Sequence, residues 1–174
     1  LIYYQSFDRA WLHEVLTSQP LSQVLDLDWD YQICSIQPAI SYDFLVGWTK
    51  EPAISSDLIR QVKGAINEVF LKESQSAVRI LEKGLREGKQ REIEASIKRA
   101  DKNLKSLNPL IYTPALKELQ EATEGLSVCA KSSGAGGGDC GIALSFDPVE
   151  TQTLIERWKE KNIEVIYQER MGDS

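Results

Sequence analysis

The order of patterns along the chain predicts an α+β domain with an antiparallel sheet and helices packed mainly on one face. Two observations carry this. Strand-like segments come in pairs, and several helix-like segments follow one another between the pairs instead of alternating with single strands. A length of 174 residues suits one domain with a real core.

Residues 1–7, LIYYQSF, read as a strand, and Asp8 is placed to cap a short helix over DRAWLHEVL. YQICSIQ (31–37) alternates polar and apolar residues, and YDFLVGWT (42–49) is rich in aromatic and β-branched types. Separated by Pro38 and a few residues, these two are expected to pair. Leu58, Ile59, Val62, Ala65, Ile66, Val69 and Phe70 then recur at helical spacing, with Ser55 or Ser56 as the natural N-cap. A second helix, about 74–87, stops near Gly88. A third, about 90–107, places Ile93, Ile97, Ala100, Leu104 and Leu107 on one side, and its charged residues read as a solvated face. Pro109 ends it, and a fourth helix opens at Thr113 and Pro114. The last third reads as strand LSVCAK, a glycine loop, strand GIALSF, a helix entered through Asp147 and Pro148 and left near Asn162, and strand IEVIYQE.

Composition removes several function classes. A net charge of -6 without a long Lys/Arg run disfavours nonspecific binding to nucleic acid or to an anionic membrane. The sequence contains no apolar run of membrane-spanning length and no charged-then-apolar leader. Cys34, Cys129 and Cys140 are far apart and fit no CxxC spacing, which favours reduced thiols in the cytoplasm over a zinc site, and no metal ligands are assigned. The chain starts without Met inside a strand-like run, so it is expected to be a truncated piece with part of a site upstream.

The stretch AKSSGAGGGDCGIALSF, from Ala130, concentrates five of the 11 glycines between Gly134 and Gly141. Bare backbone lets successive N–H groups approach an anion, Lys131 adds a charge, and Ser132 and Ser133 add hydroxyls. The pattern suits a phosphorylated ligand. Two common fingerprints do not apply: Lys131 precedes the glycines, unlike the Walker A order, and Gly136, Gly138 and Gly141 lead into a strand, unlike a dinucleotide turn. The competing reading is that the glycines permit close backbone packing.

KSSGAGGGDCGIAL (131–144) resembles the third motif of the GHMP kinases, and IYYQSFDR (2–9), DFLVGWTKEPAISS (43–56), IYTPALKEL (111–119) and YQERMG (167–172) resemble the phosphomevalonate kinase branch of that superfamily. The resemblance implies a ferredoxin-like sheet and the C-terminal, substrate-binding part of an ATP-dependent kinase of isoprenoid biosynthesis. Its partners would be ATP with Mg2+ and phosphomevalonate. It assigns phosphate binding to Lys131, Ser132, Ser133, Gly134, Ala135, Gly136, Gly137 and Gly138, with Ser55 and Ser56 as a further anion site. The second, Ser/Gly-rich motif and the acidic catalytic residue of the family have no counterpart here. The catalytic groups, the ATP cradle and most of the Mg2+ contact are therefore expected upstream, in a missing N-terminal domain. The chain alone is then expected to be inactive, and Gly136→Val to abolish turnover of the intact enzyme with the fold persisting. Diphosphomevalonate decarboxylase, mevalonate kinase and a non-enzymatic phosphometabolite-binding module are the alternatives.

Single residues invite plainer readings. Asp139 is expected to bond the loop's own N–H groups, as Asp does in turns. His13 lacks a nucleophile partner, Trp48 and Trp158 read as core, and Cys129 and Cys140 as buried thiols.

Overall fold

The computed structural model describes residues 1–52, 60, 62–134 and 136–172. These fall into two units, Leu1–Gln37 and Pro38–Ser174. In the first, strands β1 (Ile2–Gln5) and β2 (Gln32–Ser35) form an antiparallel ladder, joined through helices α1 (Arg9–Ser18) and α2 (Leu21–Val24). Asp8 caps α1, its Oδ1 accepting from Ala10 N–H at 2.8 Å. Trp29 sits edge-on to Phe7 and Trp11 and donates its indole N–H to Val24 O at 2.8 Å.

The second unit is a four-stranded antiparallel sheet. Its strands are β3 (Tyr42–Trp48), β4 (Val128–Ser132), β5 (Cys140–Ser145) and β6 (Glu164–Met171), in the order β4-β5-β3-β6. Between β3 and β4 run helices α3 (Glu68–Glu87) and α4 (Gln90–Leu107), a 3-10 turn (Pro109–Ile111) and helix α5 (Pro114–Glu121). Helix α6 (Pro148–Glu160) joins β5 to β6. The predicted α+β class holds, and the strand order is that of a ferredoxin-like sheet.

Three local expectations are corrected. The strand at 32–35 pairs with β1, not with β3, because β3 is central and both of its edges carry partners, β5 and β6. The apolar series from Leu58 to Phe70 is not one helix over its described part: Lys63–Ala65 form a turn, and α3 begins at Glu68. The Asn67 side chain stops that pattern by accepting Phe70 N–H at 3.0 Å, and Ile66 and Val69 stay exposed. Trp48 is not core; it lies at the exposed end of β3. The caps Thr113, Asp147 and Gly88 and the left-handed Asn162 are found where the sequence places them.

Leu45 of β3 pairs with Ala143 of β5, which pairs with Ala130 of β4, so all three share one face. On that face Leu116 and Leu119 of α5 and Leu154 and Trp158 of α6 complete the core. Burial raises the Tyr42 hydroxyl from 10.0 to about 12 and the Cys129 thiol from 9.0 to about 12. The folded chain thus keeps protons that the unfolded chain releases first, so their contribution is complete below about pH 9 and lost as pH rises toward 12. Urea midpoints are expected to hold steady up to pH 9 and fall above it; a midpoint unchanged to pH 11.5 contradicts this.

Candidate functional site

The glycine loop connects two core strands, so its ends are fixed by the β4–β5 ladder, closed by Ser133 N–H donating to Cys140 O at 3.0 Å. From Gly136 the backbone takes four positive φ values in a row: 81°, 84° and 126° at Gly136, Gly137 and Gly138, and 66° at Asp139. This path turns the chain back onto two neighbours. Gly137 N–H donates to Ile111 O at 2.9 Å, and Asp139 N–H to Glu51 O at 2.6 Å. Asp139 O in turn accepts from Thr49 N–H at 2.7 Å and from the Thr49 hydroxyl at 2.8 Å. A Cβ on Gly136 would stand 2.4 Å from Ile111 O, and one on Gly138 3.0 Å from Glu51 O. At these two positions close packing itself requires glycine.

The loop therefore has an anchored half and an open half. Ser133 and Gly134 are exposed, and a Cβ on Gly134 would meet nothing within 4 Å. Ser132 does not join them. It pairs with Gly141, whose added Cβ would strike the Leu119 side chain at 2.6 Å, so the Ser132 hydroxyl faces the core. It is 1% exposed and has no hydrogen-bond partner among the described residues. Lys131, on the opposite face of the strand, is half-buried and donates its ammonium to Ser132 O. Burial pushes that ammonium below its ordinary value, with Asp101 opposing. Ala135, Ser55 and Ser56 lie outside the described residues.

Asp139 contributes differently from expectation: its backbone ties the loop's exit to Thr49 and Glu51. Burial, and then the Asp139 carboxylate, raise the Cys140 thiol. Sequence reasoning also missed the groups behind the loop. Tyr112 OH accepts Ser132 N–H at 3.1 Å and donates to Asp101, on the α4 face read as solvated although Asp101 is buried. Tyr112 lies in the stretch IYTPALKEL, which by itself assigns it no task, and Asp101 lies outside that stretch. Among the described residues no three His, Cys, Asp or Glu side chains are grouped to hold a metal ion. No helix there is long and apolar enough to cross a membrane.

The loop is thus a hairpin connection of successive positive-φ residues, pinned from two sides with an open Ser-Gly edge. Residues 81–164 match the family model described as GHMP kinases C terminal. These residues form a GHMP kinase C-terminal domain. Within that superfamily the chain is 31% identical over 154 residues to a phosphomevalonate kinase of Streptomyces sp. (strain CL190), covering 82% of this chain and 41% of that protein. It superposes with a TM-score of 0.91 and 48% identity on Streptococcus pneumoniae phosphomevalonate kinase in complex with phosphomevalonate and AMPPNP, covering 98% of this chain and 52% of that one. Mevalonate pyrophosphate decarboxylase of Streptococcus pyogenes, at 15% identity and a TM-score of 0.55 over 82% of this chain and 48% of its own, shares the GHMP fold alone. The chain spans about half the length of these GHMP relatives.

Proposed function

We propose that this chain is the C-terminal, substrate-binding part of a cytoplasmic phosphomevalonate kinase, which transfers the γ-phosphoryl group of ATP to 5-phosphomevalonate to give ADP and 5-diphosphomevalonate in the mevalonate pathway. The observation that carries the reading is likeness at 48% identity over 98% of the chain to an enzyme of that name. Likeness to the decarboxylase falls to fold level, which favours the kinase over the decarboxylase. The three free cysteines fit a reducing compartment.

The attacking group in this reaction is a phosphate oxygen that is already an anion, so the protein's work is positioning and charge neutralisation, not deprotonation. On this chain Ser133 Oγ and the amide edge at Gly134 would meet the phosphates, and Ala135 is assigned to the same contact from the sequence alone. Gly136, Gly137 and Gly138 would hold that edge in place through Ile111 and Glu51. Lys131 would lend positive charge from behind. The Ser132 hydroxyl faces the core and the strand end is held through the Ser132 amide by Tyr112, while Ser55 and Ser56 would form a second anion contact. Magnesium would arrive with ATP, held mainly by groups in the other half of the enzyme.

The test is direct. The full-length protein carrying this chain, given ATP, Mg2+ and phosphomevalonate, is expected to release ADP and form diphosphomevalonate, read by phosphorus NMR. The 174-residue chain alone is expected to turn over neither substrate. Phosphorylation of mevalonate in place of phosphomevalonate, or CO2 release from diphosphomevalonate, would move the protein to another branch of the superfamily.

A further inference from the structure

We propose that Asp101 is a positioning residue for the glycine loop, acting through Tyr112 and Gln120; the catalytic consequence rests on the kinase reading above, the geometric one does not. Strand β4 is an edge strand, so every second backbone group points away from β5 and needs a partner from elsewhere. Two such groups lie just before the loop: Ala130 O and Ser132 N–H. Gln120 Nε2 donates to Ala130 O at 3.0 Å, and Tyr112 OH accepts Ser132 N–H at 3.1 Å.

One carboxylate oxygen organises both partners. Asp101 Oδ1 accepts from Gln120 Nε2 at 2.7 Å and from Tyr112 OH. Because the tyrosine proton goes to Asp101, its oxygen lone pair is left facing Ser132 N–H. Lys105 secures the other oxygen, its ammonium 2.8 Å from Asp101 Oδ2 and 4.7 Å from the centre of the Tyr112 ring. Burial first, then the hydrogen bond to Asp101, hold the Tyr112 hydroxyl protonated by raising it above its ordinary value.

The neighbouring residue completes the device. Ile111 O receives Gly137 N–H, so the Ile111–Tyr112 dipeptide grips the loop both at its entry and at its crest. Asp101 fixes that dipeptide from helix α4. Three chain segments distant in sequence thereby set where the open Ser133–Gly134 edge stands. Loss of this bracing moves a phosphate contact by a fraction of an ångström, a displacement that positioning chemistry does not tolerate.

The experiment uses the full-length protein and two readouts, amide hydrogen exchange and kinetics. Tyr112→Phe preserves the ring but removes the hydroxyl, and Asp101→Ala removes the acceptor. Asp101→Asn keeps an oxygen for Tyr112 OH and Gln120. Exchange of the amides in 132–138 is expected to quicken about tenfold or more in Tyr112→Phe and Asp101→Ala, with the remaining domain little changed, and to stay within about twofold of wild type in Asp101→Asn. With a working kinase, kcat/KM for the phosphorylated acceptor falls about tenfold in the first two, is largely kept in Asp101→Asn, and falls no further in the double variant, as for residues acting in one unit. A uniform rise in exchange across the domain, or additive losses in the double variant, would overturn the positioning role and leave Asp101 a merely structural contact. If Asp101→Ala does not fold, Tyr112→Phe against Asp101→Asn still decides. If the wild type transfers no phosphoryl group, the kinase reading fails and the exchange result alone judges the bracing.

Discussion

Gly136→Val is expected to destabilise the domain by about 3 kcal/mol or more and to dislodge the glycine loop, so activity is lost together with the fold around it. The first cost is conformational: φ is 81° at Gly136, a region in which a β-branched residue is a true outlier, at roughly 1–3 kcal/mol. The second is steric, because the new Cβ would stand 2.4 Å from Ile111 O and 2.5 Å from its Cγ2, and the first of these atoms is backbone. Overpacking of this kind costs about 1–3 kcal/mol more. This revises the sequence-based expectation that the fold would persist. The variant that separates binding from folding is Gly134→Val, where a Cβ meets nothing within 4 Å and φ is not positive. It is expected to melt within a few degrees of wild type while phosphoryl transfer by the full-length protein falls at least about tenfold through crowding of the phosphate. Thermal unfolding of the two variants side by side checks this; equal melting temperatures contradict the anchored-half, open-half division.

Trp158→Ala is expected to cost about 3–5 kcal/mol, lowering the melting temperature by about 6–20 °C. The side chain is 0% exposed in the helix-covered face of the sheet. Its six-membered ring lies so close to β3 that a Cβ on Gly47 would come within 2.9 Å of it, and its indole N–H donates to Leu119 O at 2.9 Å. Truncation opens a cavity and strands that carbonyl. Leu119 also backs Gly141, directly across the ladder from Ser132, so the disturbance reaches the root of the glycine loop. Trp158→Phe keeps most of the packing and loses the hydrogen bond, and is expected to cost about 1–2 kcal/mol. Equal destabilisation by Ala and Phe would mean that packing is not what Trp158 supplies.

Local chemistry was readable from the residues themselves. Asp8, Thr113 with Pro114, Asp147 with Pro148, Gly88 and Asn162 mark helix ends because caps and left-handed turns depend on neighbours only a few positions away. The class of fold and the density of glycine in one loop were legible for the same reason. The helix start at Glu68 was misread because the apolar spacing ran straight through Asn67, whose cap ends the pattern.

Partnerships across long stretches were not legible. Nothing near residue 33 says that its strand joins residue 4 and not residue 46, since pairing is settled by which edges remain open once the sheet assembles. Nor does the run SSGAGGG reveal which of its members face a ligand. The sequence by itself determined that a glycine-dense loop exists, where it lies and which superfamily it resembles. Only the tertiary structure decided that Gly136 and Gly138 serve packing against Ile111 and Glu51, that the Ser132 hydroxyl turns into the core, and that Asp101 is buried beneath the loop. The physical reason is that a backbone amide has one proton to give, and whether it meets a neighbouring carbonyl or is left for a ligand depends on what the fold brings within about 3 Å of it.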